Sequence, residues 1–311
     1  MFGADADSNP ETPNLPLNTP SPIRVLLVDA LCLAYRSFHA IPALSTSSGR
    51  PTNAVLGFVK TLQQARRLWQ PTHGLVAFDG GQDDRKAALL PAYKAQRPPM
   101  PDDLKSQLPE LESYLDAAGI PHVRLAAREA DDVLAAAATR AREAGAEVLI
   151  LSSDKDILQL VEEHVSVILP SKADARLGPN EVREKLGVAP SQVPDLLALT
   201  GDASDNIPGV RGVGPKTAAR WLKAYGSIQG LWQHVNEVDP ERFREPLRLA
   251  RPEVERNLDL VRLDRALTLP LDLPELLLPP ADPARLAAFF QRLEFHAMLK
   301  DLAQPDLFGP A

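Results

Sequence analysis

Three apolar runs in this chain each stop at an aspartate, and that repetition constrains the fold more than any other feature. Ile23–Val28 runs into Asp29, His73–Phe78 into Asp79, and Glu147–Ser153 into Asp154, with Asp156 two residues on. Short runs rich in Val, Leu and Ile, separated by helical stretches, read as buried parallel strands, because a strand covered on both faces has no polar side to display. Open sheets of that kind carry their functional groups at the carboxyl ends of the strands. With the three strands as neighbours, their carboxylates crowd at one edge. Like charges about 4 Å apart repel by roughly 4 kcal/mol per pair at an effective dielectric near 20. Crowding on that scale calls for protons or cations, and hard oxygen ligands favour Mg²⁺ or Mn²⁺.

The 311 residues allow about two domains and a well-buried core. A single cysteine, Cys32, excludes a disulfide framework and fits a reducing compartment. The absence of an eighteen-residue apolar run and of a basic-then-apolar leader points to a cytoplasmic protein rather than a membrane or secreted one. Residues 1–22, rich in Pro, Asn, Thr and Ser, read as a disordered tail. A net charge of -7 runs against nucleic-acid binding, whose footprint is normally basic. The objection weakens if many acids share one cation-filled site, since bound divalent ions reverse the local field.

Helical periodicity follows the first strand over Ala54–Leu68, and again over Leu104–Ala118 and Glu129–Ala144, the last two closed by Gly119 and Gly145. The order β-α-β-α-α-β predicts a doubly wound, mostly parallel α/β sheet with helices on both faces over residues 23–190. From Ser191 the strand pattern disappears, and residues 191–302 read as all-helical.

Nine acids fall in four clusters: Asp29 and Asp79; Glu129, Asp131 and Asp132; Asp154 and Asp156; Asp202 and Asp205. Glu129 and Asp132 share a face at a helix start, where negative charge is favoured. Asp154 and Asp156 point the same way from an extended strand end. Any one cluster is compatible with plain capping. Several at one sheet edge suit two hard cations roughly 3.5–4 Å apart, an arrangement that cleaves phosphodiesters. Ile207–Ala218 supplies the second signal, with Gly209, Gly212 and Gly214 in a turn and Lys216 and Thr217 at a helix start, a setting for phosphate. The glycine spacing does not fit a Walker loop, and no strand precedes it. Lying between Pro194–Leu199 and Thr217–Tyr225, the turn reads as a helix-hairpin-helix that grips sugar-phosphate backbone, with Val210, Arg211 and Val213 in its tip. A basic segment, Arg85, Lys86, Tyr93, Lys94 and Arg97, sits one strand end from the acids, placed to guide a phosphate-bearing strand.

Assembled, these motifs closely resemble the 5′-nuclease (flap endonuclease) family, which includes the 5′-3′ exonuclease domain of bacterial DNA polymerase I. The likeness runs from about Arg24 to Leu302. It rests on Val28-Asp29, Ala34-Tyr35-Arg36, Phe78-Asp79, Tyr93-Lys94-Ala95-Gln96-Arg97, Glu129-Ala130-Asp131-Asp132, Asp154-Lys155-Asp156, Thr200–Asn206, the run Pro98-Pro99-Met100-Pro101, the glycine turn and Leu293-Glu294-Phe295. The resemblance implies a structure-selective nuclease with two Mg²⁺ or Mn²⁺ ions, cutting DNA near junctions of 5′ single strand and duplex in replication and repair. Residues matching Asp29, Asp79, Glu129 and Asp131 would hold one ion. Those matching Asp154, Asp156 and Asp205 would hold the second, with Asp132 and Asp202 close by. Arg85 or Lys86, Lys94 and Arg97 would lie on a helical arch and contact the scissile phosphate, and Tyr35 and Arg36 would meet DNA. Gly209–Gly214 would grip duplex phosphates around K⁺. Counting from Asp79, the family's arch arginine falls on Lys86, with Arg85 one residue early.

A haloacid-type phosphatase also places aspartates at strand ends, but needs a second Asp two residues after the first, where this chain has Ala30-Leu31. A DNA-structure binder that has lost its chemistry is the other alternative, and the complete acid set argues against it. In the tail, Gln304, Leu307 and Phe308 resemble a bacterial sliding-clamp-binding peptide, with Pro305 in place of the usual leucine. A stand-alone, monomeric enzyme acting on flap, nicked or gapped DNA, or on RNA primers, is therefore expected.

Overall fold

In the computed structural model, which describes residues 23–303, the first half of the chain runs β1 (Arg24–Asp29), α1 (Ala30–Ala40), α2 (Asn53–Trp69), β2 (His73–Phe78), α3 (Asp84–Leu89), α4 (Asp102–Lys105), α5 (Leu108–Ala118), β3 (His122–Arg124), α6 (Ala130–Glu143), β4 (Glu147–Leu151), β5 (Val165–Leu169), β6 (Lys172–Leu177) and α7 (Pro179–Leu186). The second half contains α8 (Val193–Thr200), a small ladder of β7 (Gly201–Asp202) with β8 (Ile207–Pro208), α9 (Pro215–Tyr225), α10 (Ile228–Gln233), α11 (Arg244–Val261), α12 (Pro283–Arg292) and α13 (His296–Leu302). The expectations for residues 1–22 and for Gln304, Leu307 and Phe308 fall outside the described residues. Among the described residues no helix is long and apolar enough to cross a membrane.

The six-stranded sheet has the order β3-β2-β1-β4-β5-β6, parallel except for β6. The three aspartate-terminated strands are immediate neighbours at its centre. Their continuous apolar character follows from burial on two faces: Leu27, Leu75 and Ile150 enter one core layer, while Val28, Val76 and Leu149 enter the other. Because successive side chains point to opposite faces, a strand buried on both has no position left for a polar residue.

Three strands exceed the sequence expectation. β3 is only three residues long, β5 is broken by Ser166, and β6 (Lys172–Leu177) is an antiparallel edge strand bearing charge on its exposed side. β3 and β6 lack the doubly buried pattern of the central three, whereas β5 is buried on both faces and only its apolar run is interrupted, by Ser166.

The helix expected as one element over Leu104–Ala118 is two, and the correction has a clear cause. Gln107, 1% exposed, sits in the break and turns its side chain to the start of α2. Its Oε1 accepts from the amides of Ala54 and Val55 at 2.9 and 3.2 Å, and its Nε2 donates to Asn53 Oδ1 and Asp103 O, both at 3.0 Å. The first amides of a helix have no partner within it, and here a residue from another element satisfies them. Pro109, near the start of α5, lacks an amide hydrogen and bars continuation of α4.

The core crosses residue 190 without a break, since Val148 and Ile150 belong to the same cluster as Leu197, Val210 and Trp221. Helices α12 and α13 return to the opposite layer, where Phe289 and Phe290 meet Tyr114 at ring separations of 5.6 and 6.4 Å. Gln107→Ala strands buried amides and should lower unfolding free energy by about 1–3 kcal/mol. Urea denaturation followed by circular dichroism checks this; an unchanged midpoint would mean that water replaces the glutamine.

Candidate metal centre and nucleic-acid interface

Asp29 closes β1 and is also the N-cap of α1, accepting from Cys32 N at 2.9 Å and from Ser152 Oγ at 3.2 Å. Asp79 follows β2, and its Oδ1 accepts from Ala130 N at 2.8 Å. That bond ties the start of α6 to the sheet end and brings Glu129 and Asp131 beside the strand-terminal acids. Beyond β4, Asp154 Oδ1 accepts from Asp156 N at 2.9 Å, which turns the chain so that both side chains face the same space. Asp156, Asp202 and Asp205 each offer a carboxylate oxygen, all within 4.8 Å of one another.

The electrostatics of this group are unfavourable without compensation. Burial first, then the facing Asp79 and Asp154, push Asp29 up to about 7 against the opposing Cys32 hydrogen bond. Burial and neighbouring carboxylates likewise raise Asp154, and hold Asp131 and Asp156 well above the usual range. Two acids go the other way. Burial would raise Glu129, but Lys86 and Lys94 draw it below its ordinary value, and the Ser204 hydroxyl and Lys155 do the same for Asp202.

The basic segment lies over these acids. Lys86 is buried, with Nζ 2.5 Å from Glu129 Oε2, and Lys94 pairs with the other oxygen of Glu129. Arg97 Nη2 lies 2.5 Å from Asp205 Oδ1. Arg85 points elsewhere, pairing with Asp83, Asp132 and Asp264 at 2.8, 3.1 and 3.3 Å. Of these two residues, Lys86 therefore reaches Glu129, while Arg85 reaches Asp132.

Asp132, expected close by the second ion, has both oxygens hydrogen-bonded in this structure. Its Oδ1 accepts from Asp264 N at 2.8 Å and its Oδ2 from Arg85 Nη2 at 3.1 Å, so both oxygens are spent tying α6 to the 262–266 segment. Its hydrogen-bond partners differ from those of Glu129, although the Lys86 charge acts on both. Two other residues had been given no role of their own, Tyr93 being named only within the basic segment and Lys155 only within Asp154-Lys155-Asp156. The Tyr93 hydroxyl lies 3.1 Å from both Glu129 Oε1 and Asp205 Oδ2, and Lys155 Nζ is 3.0 Å from Asp202 Oδ1. Each stood inside a motif already noted, and its place between acids was the missing signal.

The donor set fits a hard divalent cation. It is all oxygen, and Asp156 Oδ1 is buried with no hydrogen-bond partner. Ligand oxygens at about 2.0–2.6 Å from one ion stand at most about 4–5 Å apart, and those of Asp156, Asp202 and Asp205 lie within 4.8 Å of one another. Beside Asp154 opens a cleft of about 730 Å³ lined by Cys32, Tyr35, Arg36, His39, Lys155 and Ser204, among others. The Tyr35 and His39 rings stack along it, 6.4 Å apart and 24° from parallel.

In the glycine turn, Arg211, Gly212, Gly214 and Lys216 are exposed and Thr217 is half-buried. Val210 and Val213, at 3% and 7% exposure, turn their side chains into the core and anchor the turn from below. Gly209 serves close packing, since a Cβ there would lie 2.2 Å from the Thr200 carbonyl carbon. Gly212 has φ +78, the left-handed conformation that lets the turn reverse. The following helix begins at Pro215, two residues before the expected start.

The acids predict an unusual stability profile. An acid whose folded value is raised binds more protons folded than unfolded, so its contribution is full below about pH 4 and is lost as pH rises toward 7. In EDTA the melting temperature should therefore fall between about pH 5 and 8, and a divalent cation should raise it more at pH 8 than at pH 5. Glu129 and Asp202 act oppositely, but only near and below pH 4. Scanning calorimetry across that range reads the effect, and a flat profile with no cation dependence would contradict it.

Comparison with known proteins follows this geometry. Residues 24–187 match the family model described as the 5′-3′ exonuclease N-terminal resolvase-like domain, and residues 188–284 match the 5′-3′ exonuclease C-terminal SAM fold. The chain is 40% identical over 276 residues to a 5′-3′ exonuclease of Aquifex aeolicus, covering 89% of this chain and 94% of that one. It is 40% identical over 287 residues to the thermostable DNA polymerase I of Thermus thermophilus, covering 92% of this chain but 34% of the polymerase. Among solved structures, a phage T5 5′-exonuclease with bound zinc superposes at a TM-score of 0.66 with 22% identity, over 92% of this chain and 100% of that one. The catalytic core of Rad2 in complex with DNA substrate gives 0.59 with 16% identity, over 90% and 91%. These structures share the fold. The sequence matches carry the assignment: this chain belongs to the 5′-3′ exonuclease family.

Proposed function

We propose that this 5′-3′ exonuclease hydrolyses DNA phosphodiesters near junctions of 5′ single strand and duplex, with two divalent ions, in replication and repair. The observation that carries the reading is the acid group itself: Asp29, Asp79, Asp131 and Asp154 around neighbouring strand ends, and beside them Asp156, Asp202 and Asp205 with an unpartnered buried oxygen. In this reading Asp29, Asp79, Glu129 and Asp131 hold one Mg²⁺ or Mn²⁺, and Asp154, Asp156 and Asp205 the other, with Asp202 held at hand by Lys155. When bound, the pair supplies a water that ionises near neutral pH and a counter-charge for the leaving oxygen. Solved relatives of this fold are described as bound to metal ions or to DNA, which agrees with the reading.

The chain's own residues do the rest. Lys86, Lys94 and Arg97 already sit on the acids and present positive charge where a scissile phosphate must approach. Tyr35 and Arg36 line the cleft beside Asp154 and are assigned to the unpaired strand. Arg211, Gly212, Gly214, Lys216 and Thr217 are assigned to duplex phosphates, with K⁺ as the proposed occupant of the turn. Monomeric action in the cytoplasm belongs to the same reading. The non-catalytic alternative has no observation in its favour.

The test uses end-labelled 5′-flap, nicked and blunt duplexes with and without Mg²⁺ or Mn²⁺. Asp131→Ala and Asp154→Ala should lower turnover by about three orders of magnitude or more while flap binding stays within about tenfold. Cleavage that persists in EDTA, or binding lost in parallel with turnover, would overturn the assignment. Arg211→Ala and Lys216→Ala should each weaken duplex binding regardless of sequence and flatten its log-salt slope by about one, read by fluorescence anisotropy.

A further inference from the structure

Two residues of the noted motifs, Gln96 and Asn206, have no part in the reading above, yet they join the basic segment to the loop bearing Asp202 and Asp205. Four hydrogen bonds of the junction go to backbone carbonyls, beside those of the Tyr93 hydroxyl and Arg97 Nη2 to the Asp205 carboxylate. Lys94 N donates to Asp205 O at 2.9 Å, Asn206 Nδ2 to Ala92 O at 2.7 Å, Gln96 Nε2 to Ala203 O at 2.5 Å, and Arg97 Nε to Ser204 O at 3.1 Å. In each of these four the acceptor is a backbone carbonyl and not a carboxylate. Lys94 and Asn206 both adopt left-handed backbone, φ +55 and +59, a conformation that costs a non-glycine residue of the order of 1 kcal/mol and persists only where the surroundings impose it. At Lys94 it accompanies the amide's bond to Asp205, and at Asn206 it accompanies the side chain's bond to Ala92.

The same segment is also held by ion pairs, Lys86 and Lys94 on Glu129 and Arg97 on Asp205. Those pairs use oxygens that a divalent cation would claim, so cation and basic side chains compete. The carbonyl bonds do not enter that competition. We propose that Gln96 and Asn206 are positioning residues of a neutral clasp, which keeps Lys94 and Arg97 over the acids after a divalent ion has taken their carboxylate partners. The released ammonium and guanidinium then stay beside the site to meet phosphate. This inference rests on the metal reading of the acid group.

Hydrogen exchange of the DNA-free protein, in EDTA and in Ca²⁺, tests it directly. In the wild type, amides over residues 92–97 should keep their protection within about threefold on adding Ca²⁺. In the Gln96→Ala/Asn206→Ala variant they should be protected in EDTA, where ion pairs suffice, and lose at least about tenfold in Ca²⁺. Gln96→Met, which keeps the volume and lacks the donor, should show the same loss in part, and unchanged protection of β4 shows that the fold is intact. Turnover of the double variant should fall at least about tenfold, with flap KM and cation half-saturation within about threefold. Calorimetry separates the two ideas. If no Ca²⁺ binds, the metal reading fails. If Ca²⁺ binds and the variants match the wild type, or the wild type loses protection as they do, the clasp fails.

Discussion

Mutual repulsion among buried carboxylates is the constraint around which this molecule is arranged. Parallel strands with short turns after them bring Asp29, Asp79 and Asp154 to one edge of the sheet, and the α6 N-terminus adds Asp131. Each pair at a few ångströms carries a repulsion of several kcal/mol, even at the screened dielectric of a protein. The fold meets that cost in three visible ways. Backbone amides donate to Asp29 and Asp79, basic side chains cover Glu129, Asp202 and Asp205, and Asp29, Asp131, Asp154 and Asp156 are pushed toward protonation.

That arrangement also explains the placement of the positive charge. The chain is acidic overall, yet Lys86, Lys94 and Arg97 converge on the acids, while Arg85 is diverted to Asp83, Asp132 and Asp264. Charge on this segment is local compensation of the acids. Net charge is a poor guide to partner in such a protein, because the acids and bases that matter are paired at a single locus.

The legibility of the sequence varied with how completely a residue's surroundings were set by its neighbours along the chain. β1, β2 and β4 were readable because burial on both faces leaves a continuous apolar signature. The edge strand β6 and the three-residue β3 carry no such signature, and they pair because the central strands offer them open edges. The break at Gln107 was invisible for a similar reason: its purpose is to cap α2, an element some fifty residues away. In the glycine turn, Arg211 and Lys216 stand exposed as their chemistry suggested, while Val210 and Val213 went to the core, as apolar side chains at a helix junction do.

By itself the sequence determined the identity of the acids, their attachment to strand ends and helix starts, the basic segment and the turn, since these depend on residue type, spacing and period. Tertiary structure alone decided which acids share a space and which are diverted. Asp132 is spent on Asp264 and Arg85, Lys86 rather than Arg85 reaches Glu129, and Tyr93 bridges Glu129 and Asp205. The reason is physical: a carboxylate's partners are fixed by distances of about 3 Å between segments far apart in the chain, and no local periodicity records those distances.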